Sequence, residues 1–151
     1  MKAQTVFSSP LGMLEITEED GALVSILFVS SSTPPTPPST PLLSKAKKEM
    51  EEYFRGERSS FTLPLSPKGT PFQKKVWEIT STIGYGETKS YGEIAEIMGS
   101  KAYRAIGSAL GANPLPIVIP CHRVKAKASI GGYSGGLDKK RILHSLEGIE
   151  D

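Results

Sequence analysis

Three stretches near the start of the chain, Thr5 to Phe7, Met13 to Thr17 and Leu23 to Val29, are rich in β-branched and aromatic residues and are separated by turn residues. That pattern predicts short strands. The Asp20-Gly21 pair suits a tight hairpin between the second and the third. Residues 30–41 then contain only serine, threonine and proline. Repeated proline disfavours helix and sheet alike, so an exposed, extended loop is expected, with a proline-rich recognition segment as the functional alternative. Helical spacing begins after it. Ala46, Met50, Tyr53 and Phe54 make one apolar face, with Ser44 as the expected N-cap and Gly56 as the stop.

A second unit starts at Gly69-Thr70-Pro71-Phe72-Gln73. Thr70 and Gln73 form a predicted capping box with Pro71 at the first helical position. Phe72, Val76, Ile79 and Ile83 recur at helical spacing toward an end near Thr82, and Trp77 beside them reads as core packing. Ser90 and Glu93 form a second capping box, opening a short helix expected to turn Ile94, Ile97 and Met98 inward. After Gly99-Ser100 another helix spans about Lys101 to Leu110. Two short helices joined by a glycine-containing turn predict a helix-turn-helix. The second carries Ala102, Ala105, Gly107, Ser108 and Ala109, small residues that let a backbone come close to another surface, either a neighbouring helix or a ligand. The expected architecture is therefore an α/β unit over residues 1–67, a short antiparallel sheet plus a helix. It is followed over 68–151 by a mostly helical unit with a winged-helix-like helix-turn-helix.

A chain of 151 residues suffices for one ordinary domain or two small ones. No apolar run approaches the roughly 20 residues of a membrane helix, and Lys2 is not followed by the apolar segment of a secretory signal. Residues 1–67 carry 6 Lys or Arg against 8 Asp or Glu, and residues 68–151 carry 12 against 8. The basic excess of the second part suits a polyanionic partner, although solvated surface charge produces the same imbalance.

Cys121 is the only cysteine. It excludes an internal disulfide, and with two histidines in the chain it leaves too few ligands for a structural zinc site, so neither metal nor cofactor is expected. A lone cysteine is most often a small buried hydrophobe. Here His122 and Arg123 follow it directly, an electropositive flank expected to lower the thiol's pKa. A free working thiol belongs in a reducing compartment, the cytoplasm, or the nucleus of a eukaryotic cell. The other histidine, His144, lies between Leu143 and Ser145 on the last predicted helix and is expected at the surface.

The segment Asn113-Pro114-Leu115-Pro116-Ile117-Val118-Ile119-Pro120-Cys121-His122-Arg123-Val124 resembles the active-site signature of the O6-alkylguanine-DNA alkyltransferases. The resemblance extends to Pro71-Phe72-Gln73, Ser90-Tyr91-Gly92-Glu93-Ile94-Ala95, Arg104-Ala105-Ile106-Gly107, Gly132-Tyr133-Ser134-Gly135-Gly136, Leu146-Glu147-Gly148 and the opening Ser9-Pro10-Leu11-Gly12.

It implies transfer of an alkyl group from guanine O6 in duplex DNA to the Cys121 sulfur, once per molecule, by a monomer without cofactor. O4-alkylthymine is a second candidate substrate. The helix carrying Ala105 and Gly107 would enter the minor groove and turn the target nucleotide out, with Arg104 filling the space and Tyr91 crowding the phosphate. His122 would deprotonate the thiol through a water, oriented by Glu147, and Asn113 would brace the turn before the cysteine. Tyr91 and the Ser134 N–H would assist the leaving base, Tyr133 would stack on it and Val124 would line the pocket. Arg123 is expected to be structural or a DNA contact at the rim. Extra atoms on the packed sulfur are expected to cost the fold about 1–3 kcal/mol. Two other classes compete: a lesion-binding protein of the alkyltransferase-like type without chemistry, and a cysteine hydrolase using Cys121 and His122.

Overall fold

Asp20 and Gly21 adopt positive φ values of 52° and 82°, the backbone of a two-residue hairpin turn. They join β2 (Gly12–Glu19) to β3 (Ala22–Val29), and β1 (Lys2–Ser9) pairs with the other side of β2, giving an antiparallel sheet in the order β1-β2-β3. The computed structural model describes residues 1–126, 129–133 and 135–150. It divides the chain into Met1–Pro67 and Lys68–Asp151.

In the first unit the strands turn Val6, Leu14, Ile16, Leu23 and Ile26 inward. Helix α1 (Pro41–Phe54) buries Leu43, Ala46, Met50 and Tyr53. It starts one turn before the expected cap at Ser44. Thr40 Oγ1 accepts the Leu43 N–H at 3.1 Å, and Pro41 occupies the first turn, where its missing N–H costs nothing.

The proline-rich stretch is not a free loop throughout. Thr36 pairs with Val6 on the outer edge of β1, its N–H donating to Val6 O at 3.0 Å and its hydroxyl accepting the Val6 N–H at 2.9 Å. On the opposite edge Leu23 donates to Pro64 O and accepts from the Ser66 N–H, both at 2.9 Å. Both edges thus meet segments flanked by proline, which has no N–H to offer a further strand.

The second unit begins with α2 (Pro71–Thr80), where Thr70 and Gln73 make the expected capping box. Helix α3 (Tyr91–Met98) opens on the Ser90–Glu93 box and ends at Gly99, with φ 63°, before α4 (Tyr103–Gly111). This is the helix-turn-helix. Its buried α3 residues are Ile94 and Ala95; Ile97, expected inward, is 55% exposed, because so short a helix buries only a narrow arc. Two-residue strands β4 (Lys89–Ser90) and β5 (Val124–Lys125) pair in parallel, and α5 (Leu137–Glu147) closes the unit.

Trp77 is buried, and its indole N–H donates to Ala109 O at 2.7 Å, tying α2 to α4. Trp77→Phe leaves that buried carbonyl without its donor. The expected loss is about 1–3 kcal/mol, read as a lower urea midpoint at unchanged slope.

Candidate active site

The chain leaves α4 at Asn113, whose buried side chain holds both ends of the following loop. Its Oδ1 accepts the Leu115 N–H at 2.9 Å, while its Nδ2 donates to Ile119 O at 2.9 Å and to Cys121 Sγ at 3.2 Å. Between these points Ile117 has φ 77°, a left-handed conformation that β-branched residues avoid. The Asn113 hydrogen bonds span this strained residue and deliver Cys121 to a single 3-10 turn, Cys121–Arg123. The cysteine segment is therefore a turn, followed at once by β5.

Cys121 is 6% exposed, and burial is the largest influence on it, pushing the thiol pKa up against the smaller opposing effects of the Asn113 hydrogen bond and the Lys140 charge. This reverses the expectation from the His122-Arg123 flank. The charge of Arg123 is committed elsewhere. Its guanidinium grips Glu147 through Nε at 2.8 Å and Nη2 at 3.1 Å, and Nη1 donates to Ile83 O at 2.7 Å. Of the two roles expected for Arg123, rim contact and structural residue, these hydrogen bonds fit the second.

His122 is fully buried. Its Nε2 lies 2.7 Å from Glu147 Oε2, so the ring proton sits on Nε2 and Nδ1 carries the lone pair. Nδ1 is buried and has no hydrogen-bond partner among the described residues. Burial pushes the imidazole pKa down, more than the Glu147 hydrogen bond and charge raise it. The resting pair is then a neutral thiol and a neutral imidazole. Glu147 also accepts the Gly86 N–H at 3.1 Å. Gly86 has φ 76°, and a Cβ there would lie 3.1 Å from the Glu147 carbonyl oxygen, so a glycine suits this contact.

Cys121 borders a pocket of about 160 Å³ lined by Tyr91 of α3, by Gly107, Leu110 and Gly111 of α4, and by Gly132 and Tyr133. It is small beside the roughly 300–1,000 Å³ typical of drug-sized ligands, a size suited to one compact ring system. Tyr91 Oη accepts the Gly132 N–H at 3.4 Å, and a Cβ on Gly131 would meet that hydroxyl at 3.1 Å. Burial, with Cys121 adding to it, raises the Tyr133 pKa and keeps the phenol neutral.

Arg104 and Ala105 lie exposed on α4 and are not among the residues lining the pocket. Val124 does not line the pocket; it is buried in β5 with its carbonyl on Lys140 Nζ at 2.7 Å. Ser134 lies outside the described residues. Two residues escaped sequence reasoning. Lys140 is fully buried, its Nζ also donating to Gly132 O at 2.8 Å. His144, expected at the surface, is fully buried, with Nε2 2.6 Å from His122 O. Their only sequence signal is the spacing from Glu147, which puts all three on one face of α5.

A buried cysteine followed in sequence by a histidine paired with a carboxylate, in a pocket bordered by the second helix of a helix-turn-helix, defines a thiol site built on a helix-turn-helix scaffold. Family comparisons narrow this. Residues 3–67 match the 6-O-methylguanine DNA methyltransferase, ribonuclease-like domain, and residues 71–149 match the 6-O-methylguanine DNA methyltransferase, DNA binding domain. The constitutive methylated-DNA–protein-cysteine methyltransferase of Bacillus subtilis is 44% identical over 99% of this chain and 97% of its own. That of Haemophilus influenzae is 40% identical over 96% and 86%. The crystal structure of the Mycobacterium tuberculosis OGT in complex with DNA superposes with a TM-score of 0.85 at 39% identity, covering 94% of this chain and 90% of that one. The chain belongs to the 6-O-methylguanine DNA methyltransferase family.

Proposed function

We propose that Cys121 removes the alkyl group from O6-alkylguanine in duplex DNA and keeps it, so that each molecule acts once, with O4-alkylthymine as a second substrate. The observation that carries this reading is the position of Cys121 at the pocket wall, on a turn whose next residue is the buried His122–Glu147 pair. The pocket is lined by side chains and loop backbone, so a base reaches it only after leaving the stack. The slim face of α4 around Gly107 suits close approach to a groove, and exposed Arg104 suits the space that the base vacates. DNA as the partner is supported by the complex of the 39% identical relative.

The thiol proton passes through a water to His122 Nδ1 while Glu147 steadies the imidazolium. The S–C bond forms as the O6–C bond breaks, and the departing guanine takes up a proton from solvent. Tyr91 Oη accepts the Gly132 N–H, so its own hydrogen is left to donate to the base. Neutral thiol and alkylguanine thus become neutral thioether and guanine, and the histidine returns its proton to solvent. The thioether is stable and the chain has no second cysteine to relieve it.

Intact mass after mixing with excess duplex carrying O6-methylguanine tests this, beside Cys121→Ser. One added methyl on the wild type alone, with repair ending at one equivalent, is the expected result. Tight lesion-selective binding with no mass change would establish a lesion-binding protein instead.

A further inference from the structure

Lys140, His144 and Glu147 are buried polar residues on one face of α5, spaced four and three apart. Each holds a different part of the cysteine segment. Lys140 Nζ donates to Val124 O at 2.7 Å, Glu147 takes the His122 ring and Arg123, and His144 Nε2 lies 2.6 Å from His122 O. A carbonyl oxygen only accepts, so His144 carries its proton on Nε2 and donates it. His122 is therefore held twice by the same helix, by its ring through Glu147 and by its backbone through His144.

The need for a second hold is physical. The Cys121–Arg123 turn has just two internal hydrogen bonds, Arg123 N–H to Pro120 O at 2.9 Å and Val124 N–H to Cys121 O. One turn of 3-10 helix is weakly defined by itself. The hydrogen bond that the ring donates to Glu147 fixes the ring edge but leaves the peptide behind it able to tilt. Tilting moves Nδ1, which has no hydrogen-bond partner among the described residues, relative to the thiol of the preceding residue.

We infer that His144 is a positioning residue for alkyl transfer: by anchoring the His122 carbonyl it aims His122 Nδ1 toward the path of the thiol proton. This rests on the alkyl-transfer reading above. The groups acting on His122 are Glu147, Arg123 and His144 itself, and none of the others contacts its carbonyl among the described hydrogen bonds.

The chain has two histidines, so replacing His144 leaves His122 as the only imidazole for ¹⁵N NMR. His144→Leu removes the donor at similar volume, and His144→Gln keeps an N–H. In the full chain, the His122 titration midpoint and the single-turnover rate on O6-methylguanine duplex are followed against pH. For His144→Leu the midpoint moves up toward the ordinary histidine value and the rate falls about 10- to 100-fold, the scale of a misplacement near 1 Å, while His144→Gln stays close to wild type. An unmoved midpoint overturns the inference whether or not the rate falls, because a rate loss alone marks a merely structural residue. Should His144→Leu fail to fold, the wild-type spectrum decides: a His144 Nε2–H that exchanges rapidly with water overturns the anchor, and a protected one upholds it. If the wild type itself transfers no alkyl group, the reading of the reaction fails, and the titration still decides whether His144 positions His122.

Discussion

Glu147→Gln is expected to abolish useful alkyl transfer and to remove a large part of the protein's stability together. The carboxylate accepts from His122 and from Arg123 twice, all three bonds buried, and from the Gly86 N–H in a partly buried one. A neutral amide of the same shape takes away the countercharge of Arg123, itself only 7% exposed. Breaking a buried ion pair from one side costs about 3–5 kcal/mol, a large share of the roughly 5–15 kcal/mol that holds a domain together. The amide also presents its NH₂ as readily as its oxygen to His122, so the ring loses its fixed tautomer. In serine proteases the analogous change lowers kcat by about 10⁴.

Urea unfolding and a single-turnover rate on O6-methylguanine duplex separate the two effects when Arg123→Met/Glu147→Leu is added. Replacing the whole pair with apolar side chains is expected to regain part of the stability and none of the rate. Recovery of the rate in the double variant would show that Glu147 serves only as the partner of Arg123.

How far the sequence goes is seen in the helix starts. The Thr70–Gln73 and Ser90–Glu93 boxes form as their spacing predicts, because capping is decided by side chains within one turn. The Asp20-Gly21 hairpin is equally local. The same reasoning missed the start of α1, where the Thr40-Pro41 pair outcompetes Ser44 while sitting inside a proline-rich run that reads as loop.

The site divides along the same line. Asn113 meets Cys121, and His122 meets Glu147. The state of the thiol did not follow from its neighbours in sequence. Arg123 is adjacent to His122, but its charge is bound to Glu147, 24 residues away, and burial then outweighs every favourable charge near the sulfur. Lys140 and His144 were hidden for a related reason. A lysine or histidine on a helix that also carries Lys139 and Arg141 reads as solvated surface, and only the tertiary fold supplies the carbonyls of Val124, Gly132 and His122 that make their burial tolerable. Ile117 gave no signal, since local preference argues against its left-handed backbone.

The pH dependence of the reaction should show a flat central region with two distant edges. In the resting protein the thiol pKa is raised above its ordinary 9.0 and the imidazole pKa is lowered below its ordinary 6.5, both chiefly by burial. Thiol with neutral imidazole and thiolate with imidazolium contain the same number of protons, so transfer between them gives no pH dependence of its own. Rate is lost on the acid side only when His122 takes a proton from solvent, which falls below pH 6.5. On the alkaline side the thiolate absorbance near 240 nm should emerge only above pH 9.0.

Stability follows the same two groups. As pH falls, the unfolded chain protonates its histidine before the folded protein does, so the stability His122 contributes is present above pH 6.5 and is lost as pH falls through its lower folded pKa. As pH rises, the unfolded chain loses its thiol proton first, so the stability Cys121 contributes is present below pH 9.0 and is lost as pH climbs through its higher folded pKa. Single-turnover rate, thiolate absorbance and melting temperature across this range provide the check. A thiolate signal already complete at neutral pH would mean that a free thiolate, set by the positive charges nearby, replaces the histidine relay. The rate would then fall in step with the loss of that absorbance on the acid side, and His122 substitutions that preserve the fold would leave it unchanged.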